Sequence, residues 1–448
     1  MTSKTGKMNI ITRPMVVMMS IMATFFCTAA HGQDTEGTVW TLQRCLEHAL
    51  ENNIQLHQQK NSYESSLQDS YAARKAFLPS VSAGVSQGVT QYATGGSEMA
   101  SGTYNGSYNV TADMTLYNGG KLRNSYRQSL VQNSIDSLSV AESADDIRIS
   151  IVQAYMQCLY ARENITVNEG NVEASKAQMD RAEQLWKVGT ISKVDYAQLQ
   201  SQYQSDEYQL VMAKNSLASS KLTLKQLLEL DILDEIELSD IDADETQILA
   251  LIPSKEEVYS NAKDYLPEML RGQAQIKSAE YGIAMAKAGF LPSLSLSAGT
   301  GTSNNSNSTG GFASQIADNL NANMGLSLRI PIFSQMQNKT AVRKAQIAYD
   351  NSVLQAAGIE KDILKEVEST YLEVISAQSQ YVSAKQKCDY AQKSYELVRE
   401  QFGVGSKNIV ELITAQNEYL SAKQSVVLAK YTALMNIDIL NIYQGRTL

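Results

Sequence analysis

Residues 77–83 read FLPSVSA and residues 290–298 read FLPSLSLSA, so the same four letters return about half a chain later in a sequence of 448 residues. A second correspondence pairs LWKVGT at 185–190 with QFGVGS at 401–406. Repetition at so long a period predicts two copies of one architecture rather than a solenoid of short units. We therefore expect a pseudo-twofold protomer whose halves lie side by side.

Each FLPS stretch introduces two segments in which apolar and polar residues alternate, which is typical of β-strands. The predicted hairpins cover about 80–116 and about 293–331. One face of each is aliphatic, while the other carries Asn, Ser, Thr, Asp and Arg, which are too polar for a packed core. The pattern favours strands with lipid on one side and water on the other. A half-solvated sheet in a soluble domain is the alternative. The aliphatic face of the first hairpin comprises Val81, Ala83, Val85, Val89, Tyr108, Val110, Ala112, Met114 and Leu116.

The N-terminus has the features of a secretory signal peptide, predicted for residues 1–32. Three basic residues precede an apolar run from Met15 to Ala30, and small residues follow it. A membrane anchor is disfavoured because that run is shorter than the roughly 20 residues of a spanning helix. Lipidation of Cys27 is improbable, because bulky Phe25 and Phe26 stand directly before it. Because the predicted signal peptide implies export, a half-solvated sheet in a soluble domain is also the less favoured interpretation of the two hairpins.

Composition excludes several classes of function. Cys45, Cys158 and Cys388 are an odd set without close spacing, so no disulfide framework is indicated. His48 and His57 have no cysteine or carboxylate partners at ligand spacing, so neither a metal site nor a cofactor is predicted. The net charge of −9, without any basic run, disfavours a nucleic-acid partner. No nucleophile, metalloprotease or phosphate-loop motif occurs in the chain, so it is not expected to be an enzyme.

After each hairpin comes a long segment without proline, residues 120–186 and 337–402. A helix of that length reaches about 100 Å at roughly 1.5 Å per residue. Apolar and small residues recur at steps of four and three over some five heptads, which specifies a left-handed coiled coil with the returning helices. The seam of the second helix comprises Ile363, Val367, Thr370, Val374, Ala377, Tyr381, Ala384, Cys388, Ala391, Tyr395, Val398 and Phe402.

The predicted organisation has four parts. After the signal peptide, residues 33–230 form the first structural repeat, with its long helix pair at about 120–230. Residues 231–253, acidic and aperiodic, form an equatorial linker. Residues 254–448 form the second repeat, with its helix pair at about 334–443. The fold class is thus mixed and mainly α, with antiparallel coiled-coil helices and four transmembrane strands in each protomer.

Four strands cannot close a barrel, and an open sheet would leave unpaired backbone groups in lipid. The chain must therefore oligomerise. Two to four copies are plausible, and three copies give a shared barrel of twelve strands. Twelve helical rods would then continue this barrel as a hollow α-helical cylinder, or α-barrel.

The chain resembles the TolC-type outer-membrane efflux proteins. The resemblance is carried by residues 404–445, by VGTISKVDYAQLQSQY at 188–203 and by the duplicated FLPS hairpins. It implies a homotrimeric channel-tunnel in the outer membrane of a Gram-negative bacterium, extending into the periplasm. The partners it implies are outer-membrane lipid, a periplasmic adaptor protein and an inner-membrane pump of the RND or ABC type. The expected activity is that of a passive duct for efflux or type I secretion, with its cargo undisclosed.

The turns at the far end of the rods are the candidate gate. Gly189 and Gly405 suit the left-handed closure of a helix. Ser192-x-x-Asp195 and Asn408-x-x-Glu411 fit capping boxes of the returning helices, which is the plainer interpretation.

The resemblance adds roles for single residues. Asp195 matches a family carboxylate bonded to a basic residue, and Lys407 stands where that residue, usually arginine, would be. Phe402 replaces the tyrosine of the family's type member. Glu411 matches one gate carboxylate, and Thr414 occupies the place of another. A single ring of three Glu411 carboxylates is the resulting hypothesis for cation selectivity.

The same turns resemble the family's docking notch for adaptor proteins, through Val188, Gly189 and Thr190 and through Val404, Gly405 and Ser406. Simple turn geometry explains the two glycines equally well. An exported coiled-coil scaffold or a periplasmic adaptor without a pore is the alternative function, and the four amphipathic strands argue against it.

Overall fold

The computed structural model describes residues 39–91, 103–231, 233–241 and 245–446. The predicted signal peptide and most of the loop of the first hairpin lie outside these ranges. Contacts group Trp40–Leu448 into one unit, with Met1–Val39 as a second unit of which only Val39 is described. The two halves of the chain therefore share one core.

The long helices and strands occur along the chain in the predicted order, and several short elements lie between them. They are β1 (Val39–Trp40), α1 (Leu42–Asn52), α2 (Ile54–Lys75), β2 (Ser80–Thr90), β3 (Thr103–Asn118), α3 (Lys121–Lys187), α4 (Lys193–Leu227), β4 (Glu237–Leu238), α5 (Glu245–Ile248), α6 (Lys255–Tyr265), α7 (Pro267–Ala288), β5 (Ser293–Asn305), α8 (Phe312–Asp318), β6 (Asn321–Arg329), α9 (Gln337–Gly403) and α10 (Ile409–Tyr443).

The first two helices are separated at Asn53, as the Asn-Asn pair in the sequence predicts. Asn53 has extended backbone angles, and its side chain accepts a hydrogen bond from the backbone N–H of Leu56 in the first turn of α2. An asparagine that caps a helix start satisfies one of its unpaired amides. The helix then ends at Lys75, just before Pro79.

Two very long helices dominate the fold. Helices α3 and α9 have 67 residues each, and α4 and α10 have 35 residues each. Helix α3 packs against α4, and α9 packs against α10, while α2 and α7 cover the remaining length near the sheet. The predicted seam of α9 is buried or half-buried at every position. The 3.5-residue spacing therefore identified this packed face correctly.

Polar side chains interrupt the seam at one level and link the two helical hairpins, α3–α4 and α9–α10. Asp206 is only 3 % exposed and accepts a hydrogen bond from Gln202 Nε2 at 2.8 Å. Burial raises the pKa of the Asp206 carboxyl above its usual value. Nearby, Gln416 Nε2 donates to Asn171 Oδ1 at 2.9 Å. Polar groups inside a coiled coil fix the register of the helices at a cost in stability.

The four long strands form one antiparallel sheet in the order β2-β3-β5-β6, so the two hairpins join along β3 and β5. Directly opposed residues share a face of a sheet. Opposed residues from the four strands include Val81, Ala112, Ala298 and Met324, and a second row contains Ala83, Val110, Thr300 and Ala322. One side of the sheet is thus largely apolar across all four strands. The opposite side carries rows such as Ser82, Thr111 and Asn323.

A β-bulge in β3 changes which residue of this strand ends the apolar face. Thr115 lies opposite Ser295, but the next pair is Tyr117 with Leu294, so Leu116 is the extra residue. Leu294 belongs to the apolar face, since it pairs with Leu328 on the other side. Tyr117, rather than the predicted Leu116, therefore ends the apolar row. Strict alternation cannot reveal an inserted residue of this kind.

The loop of the second hairpin contains a helix that the sequence did not indicate. Strand β5 continues to Asn305, and α8 occupies residues 312–318 between the two strands of the hairpin, a stretch rich in Asn, Ser and Gly. The abundance of Asn, Ser and Gly disguised it, because these residues are typical of turns.

The segment predicted as an aperiodic linker, residues 231–253, also has structure of its own. Strand β4 pairs with β1, and the Tyr155 hydroxyl donates to the carbonyls of Trp40 at 3.0 Å and Ser239 at 2.9 Å. Arg162 donates to the Leu238 carbonyl at 2.7 Å. Backbone groups of this segment are therefore held by side chains of α3.

The described cysteines are free, and two of them are core residues. Cys45 and Cys158 are fully buried, and Cys388 is half-buried on the α9 seam. Burial raises the pKa of the Cys45 and Cys158 thiols to about 12. Since the thiolate is the reactive form, these side chains serve packing.

Helix α10 is the most apolar helix described, and by length and composition alone it could cross a membrane. Half of its most apolar 18-residue stretch is buried inside the fold. Its apolar character is explained by contacts with α3 and α9 on different sides.

Near its end, α10 contains a carboxylate without a favourable environment. Burial raises the pKa of Asp438 to about 6. An unfolded aspartate has a pKa of about 3.9. The protonated side chain therefore stabilises the fold fully below about pH 4, and that contribution is lost as the pH rises through about 6.

We expect Asp438→Asn to stabilise the protein at neutral pH by roughly 1–3 kcal/mol, because a neutral amide replaces a carboxylate that ionises in a half-buried position. The stability difference between variant and wild type should be small near about pH 4 and larger near about pH 7. Denaturant unfolding of both proteins at the two pH values measures it. An equal difference at both would contradict the assignment.

Candidate functional site at the distal helix turns

Helices α3 and α9 both end in the same left-handed closure. Gly189 and Gly405 have φ of 78° and 76°. The N–H of Thr190 donates to the Leu185 carbonyl at 2.8 Å, and the N–H of Ser406 donates to the Gln401 carbonyl at 2.8 Å. This is the Schellman arrangement that glycine permits at a helix C-terminus. We call residues 188–192 and 404–408 the distal turns.

The returning helices begin with reciprocal capping boxes, as the sequence predicts. The N–H of Asp195 donates to Ser192 Oγ at 3.0 Å, and the Ser192 N–H donates to Asp195 Oδ2 at 3.2 Å. In the second turn, the corresponding bonds join Glu411 and Asn408 at 2.9 and 3.0 Å. Both acids therefore satisfy helix amides that would otherwise be unpaired.

The two turns differ in charge, because only the second contains an ion pair. Lys407 Nζ lies against Glu411 Oε1, one helical turn away. Hydrogen bonds from the Lys407 side chain and then from the Asn408 N–H hold the pKa of Glu411 below its usual value. Glu411 is consequently ionised at neutral pH.

The predicted pairing of Lys407 with Asp195 is not formed within the chain. Asp195 bonds to Ser192, and Lys407 pairs with Glu411 instead. Within one copy, each of these two carboxylates is therefore bonded to residues of its own turn. Contact between Lys407 and Asp195 of a neighbouring copy stays a prediction.

Phe402 packs inside the distal end rather than standing free. It lies against a small apolar core and is half-buried. An open groove of about 440 Å³ between the ends of α3 and α9 is lined by Phe402, Arg181 and Arg399, among others. Across it, Gln178 Nε2 donates to the Tyr395 hydroxyl at 2.9 Å. The buried members of the apolar core are Ala182, Leu199, Tyr395, Ile409, Leu412 and Ala415.

Thr414 lies on a different surface from Phe402. It is exposed and lines a groove between α9 and α10 together with Tyr390, Asn417 and Glu418. Glu411, Thr414 and Glu418 follow at helical spacing and so share one side of α10. Glu418 was missed by sequence reasoning, although its spacing of seven from Glu411 is the signal that would have found it.

The candidate docking residues are exposed at the extreme end of the turns. Val188 and Val404 are 76 % and 82 % exposed, and Thr190 and Ser406 are also exposed. Two further exposed valines, Val194 and Val410, begin the returning helices at matching positions and were not predicted as part of this surface. Four exposed valines at one end of the fold form an apolar patch.

Neither distal turn offers ligands for a metal. In the part of the chain that the structure describes, no three His, Cys, Asp or Glu side chains lie close enough to hold an ion. The chemistry available at the turns is that of charge, hydrogen bonding and exposed apolar surface.

We expect Gly405→Ala to destabilise its turn by about 1 kcal/mol, because a Cβ is strained at this φ. Nothing lies within 4 Å of the added carbon, so crowding contributes nothing. Hydrogen exchange of the Ser406 amide measures the effect.

Gly403→Ala is the matched control, since Gly403 is the last residue of α9 and its added carbon meets only Arg181 Nη2 at 3.8 Å. That variant should leave exchange unchanged or slow it. Equal acceleration by both substitutions would refute the strain explanation.

Curated relatives share sequence with about three fifths of the chain. The chain is 25 % identical over 297 residues to the outer membrane protein TolC of Escherichia coli, covering 64 % of this chain and 59 % of the relative. It is 22 % identical over 270 residues to TolC of Vibrio cholerae, covering 60 % and 61 % of the two chains. The alkaline protease secretion protein AprF of Pseudomonas aeruginosa is 21 % identical over 286 residues, with 62 % and 57 % covered. The aligned region thus spans about three fifths of these relatives.

Solved structures match over nearly the whole chain. CusC, a transmembrane channel protein, superposes with a TM-score of 0.79 at 17 % identity, covering 91 % of this chain and 92 % of the other. The Campylobacter jejuni outer membrane channel CmeC gives a TM-score of 0.73 at 18 % identity, covering 90 % and 85 %. At these identities the likeness establishes the fold.

The family model described as "Outer membrane efflux protein" matches residues 45–229 and 258–438, the two segments that each contain one sheet hairpin and one helical hairpin. Together the matched segments cover well over half of the chain. The chain belongs to the outer membrane efflux protein family.

Proposed function

We propose that three copies of this chain form a channel-tunnel in the outer membrane that serves as a passive export duct for efflux or type I secretion. The observation that carries the proposal is the exposure of both outer strands of the sheet. Strands β2 and β6 have no partner on their outer sides within the described chain, and their residues are almost all exposed. Pairing β6 of one copy with β2 of the next satisfies both edges.

The two faces of the sheet support a barrel that encloses water. The apolar rows continue across all four strands, as required for a surface in contact with acyl chains. Three sheets of four strands give twelve strands, which is wide enough for an aqueous interior. The equal lengths of the paired helices support the proposed two-repeat organisation with boundaries near residues 33, 230 and 254.

The alternative of a scaffold without a pore is not favoured, because the family and the matched structures are outer-membrane channels. The duct needs no catalytic step of its own. Transport would be driven by an inner-membrane pump of the RND or ABC type, joined through a periplasmic adaptor.

At the distal turns we assign Glu411 to the charged constriction, with Thr414 and Glu418 above it on the same side of α10. Its low pKa keeps the carboxylate ionised, and Lys407 partly offsets its charge. Three copies would bring three such pairs around the bore, where the turns of α9 and α10 converge. Phe402 would support this arrangement from the apolar core behind it.

Glu411→Gln should weaken block by multivalent cations, because it removes three carboxylates from the bore. Planar-bilayer conductance of the purified protein measures the block. Glu256→Gln is the control, since it removes an exposed carboxylate at the start of α6, away from the distal turns. Unchanged block in Glu411→Gln, or equal loss in both variants, would remove the ring from the mechanism.

The four exposed valines, together with Thr190 and Ser406, support adaptor docking at the distal turns. We expect a photo-crosslinking residue at position 190 or 406 to capture a co-expressed periplasmic adaptor. A crosslinker at Tyr208, which is exposed on α4 away from the turns, is the control. If neither position gives an adduct, adaptor docking at the turns is refuted, and the two glycines serve only to form the turns.

A further inference from the structure

Helix α8 lies on the apolar side of the sheet and not over its polar side. Thr302 Oγ1 donates to the Ile316 carbonyl at 2.7 Å, and the Phe312 ring packs edge-on against Tyr108 with centroids 6.4 Å apart. Thr302 and Tyr108 are register partners, and Tyr108 also opposes Val85. The two contacts therefore place α8 against the same face as the aliphatic rows.

Several hydrogen bonds fix α8 in this position. Gln315 is about nine-tenths buried, and its Nε2 donates to the Gly310 carbonyl at 2.9 Å. Its Oε1 accepts from the Asn305 N–H at 2.8 Å. Asn319 Nδ2 donates to the Ser303 carbonyl at 2.7 Å. The helix is thus attached to the end of β5 along its whole length.

Aromatic residues stand at both ends of a continuous apolar stretch of this face on β3. Tyr108, with Phe312 packed against it, is the last residue of that stretch before the row of Gln87, Gly106 and Asn304, and Tyr117 ends it next to the helices. Between the tyrosines, β3 presents Val110, Ala112 and Met114 on this side. The separation is about 27 Å along the strand, or roughly 20 Å across a membrane at the usual tilt, close to the apolar band of about 25 Å in such barrels. Aromatic side chains at both ends of the apolar stretch are expected where a barrel meets the two membrane–water interfaces.

Helix α8 has the chemistry of an interfacial segment with little charge. Asp318 is its only charged residue, and Phe312 remains 59 % exposed despite its contact with Tyr108. Leu320, two residues after the helix, is also exposed. A surface with exposed Phe and Leu beside Ser, Asp and Asn fits the boundary between acyl chains and headgroups.

We propose that α8 is an interfacial anchor whose exposed Phe312 and Leu320 insert into the outer leaflet of the outer membrane. The occupant of this surface is lipid, because the surface is continuous with the apolar face of the sheet. The inference rests on the proposed function, since it requires that face to contact lipid.

Tryptophan fluorescence in vesicles of brominated phosphatidylcholine tests the anchor. Phe312→Trp is introduced in a full-length chain that also carries Trp186→Phe, with Trp40 as a constant background. Its emission should lose intensity most with bromines placed near the headgroups. Leu320→Trp should respond in the same way and serves if the first variant does not fold.

Ala112→Trp separates failure of the anchor from failure of the proposed function. Ala112 lies midway between Tyr108 and Tyr117 on the apolar face, opposite Val81 and Ala298, and should be quenched most by bromines deep in the bilayer. If Ala112→Trp is quenched and the two α8 variants are not, or if those respond most to deep bromines, the anchor is wrong and the barrel stands. If none is quenched, the sheet is outside lipid and the proposed function fails as well.

Discussion

The hydrogen-bonding groups along the outer edges of β2 and β6 are the constraint on which the rest of the structure depends. In lipid, each unpaired backbone group costs several kcal/mol, and no water is present to compensate. A sheet of four strands cannot remove its own edges, so in the proposed channel the membrane segment requires further copies of the chain. Only two residues, Gly119 and Gly120, separate β3 from α3. Because β3 leads almost directly into α3, the number of strands also sets the number of long helices that continue from the sheet.

Within a copy, the two helical hairpins are joined by apolar and by polar contacts. Each hairpin has a continuous seam of apolar and small side chains. An apolar core near the distal turns contains residues of both hairpins, such as Ala182, Leu199 and Leu412. Polar contacts between the hairpins add to it, as between Gln416 and Asn171 or Lys430 and Glu163. A hydrogen bond of this kind contributes about 1 kcal/mol net.

The sequence predicted the elements that rest on long periodicity and missed those that rest on a single residue or on contact between distant segments. The seam of α9 from Ile363 to Phe402 was correct at every position, because a repeated spacing averages out local exceptions. The bulge at Leu116 and the short helix α8 were not visible, because one inserted residue or a seven-residue helix leaves no period to read.

At the distal turns, both capping boxes followed from four-residue motifs, whereas the bond between Lys407 and Glu411 did not. Motif spacing specifies local bonds, as between Asn408 and Glu411. It does not specify which carboxylate a long lysine side chain selects. The exposed valines at 194 and 410 were likewise overlooked, because exposure at a helix start depends on how the whole end of the fold is packed.

The apolar composition of α10 bears on how the chain reaches its destination. A secreted precursor must pass through the inner membrane unfolded, and a segment as hydrophobic as this helix risks arrest there as a stop-transfer sequence. In the unfolded chain Asp438 has an ordinary pKa and is charged. A charged aspartate opposes insertion of a spanning helix, by about 2.5–3.5 kcal/mol at its centre and by less towards its ends. The same carboxylate that weakens the finished fold therefore opposes membrane insertion of the unfolded precursor.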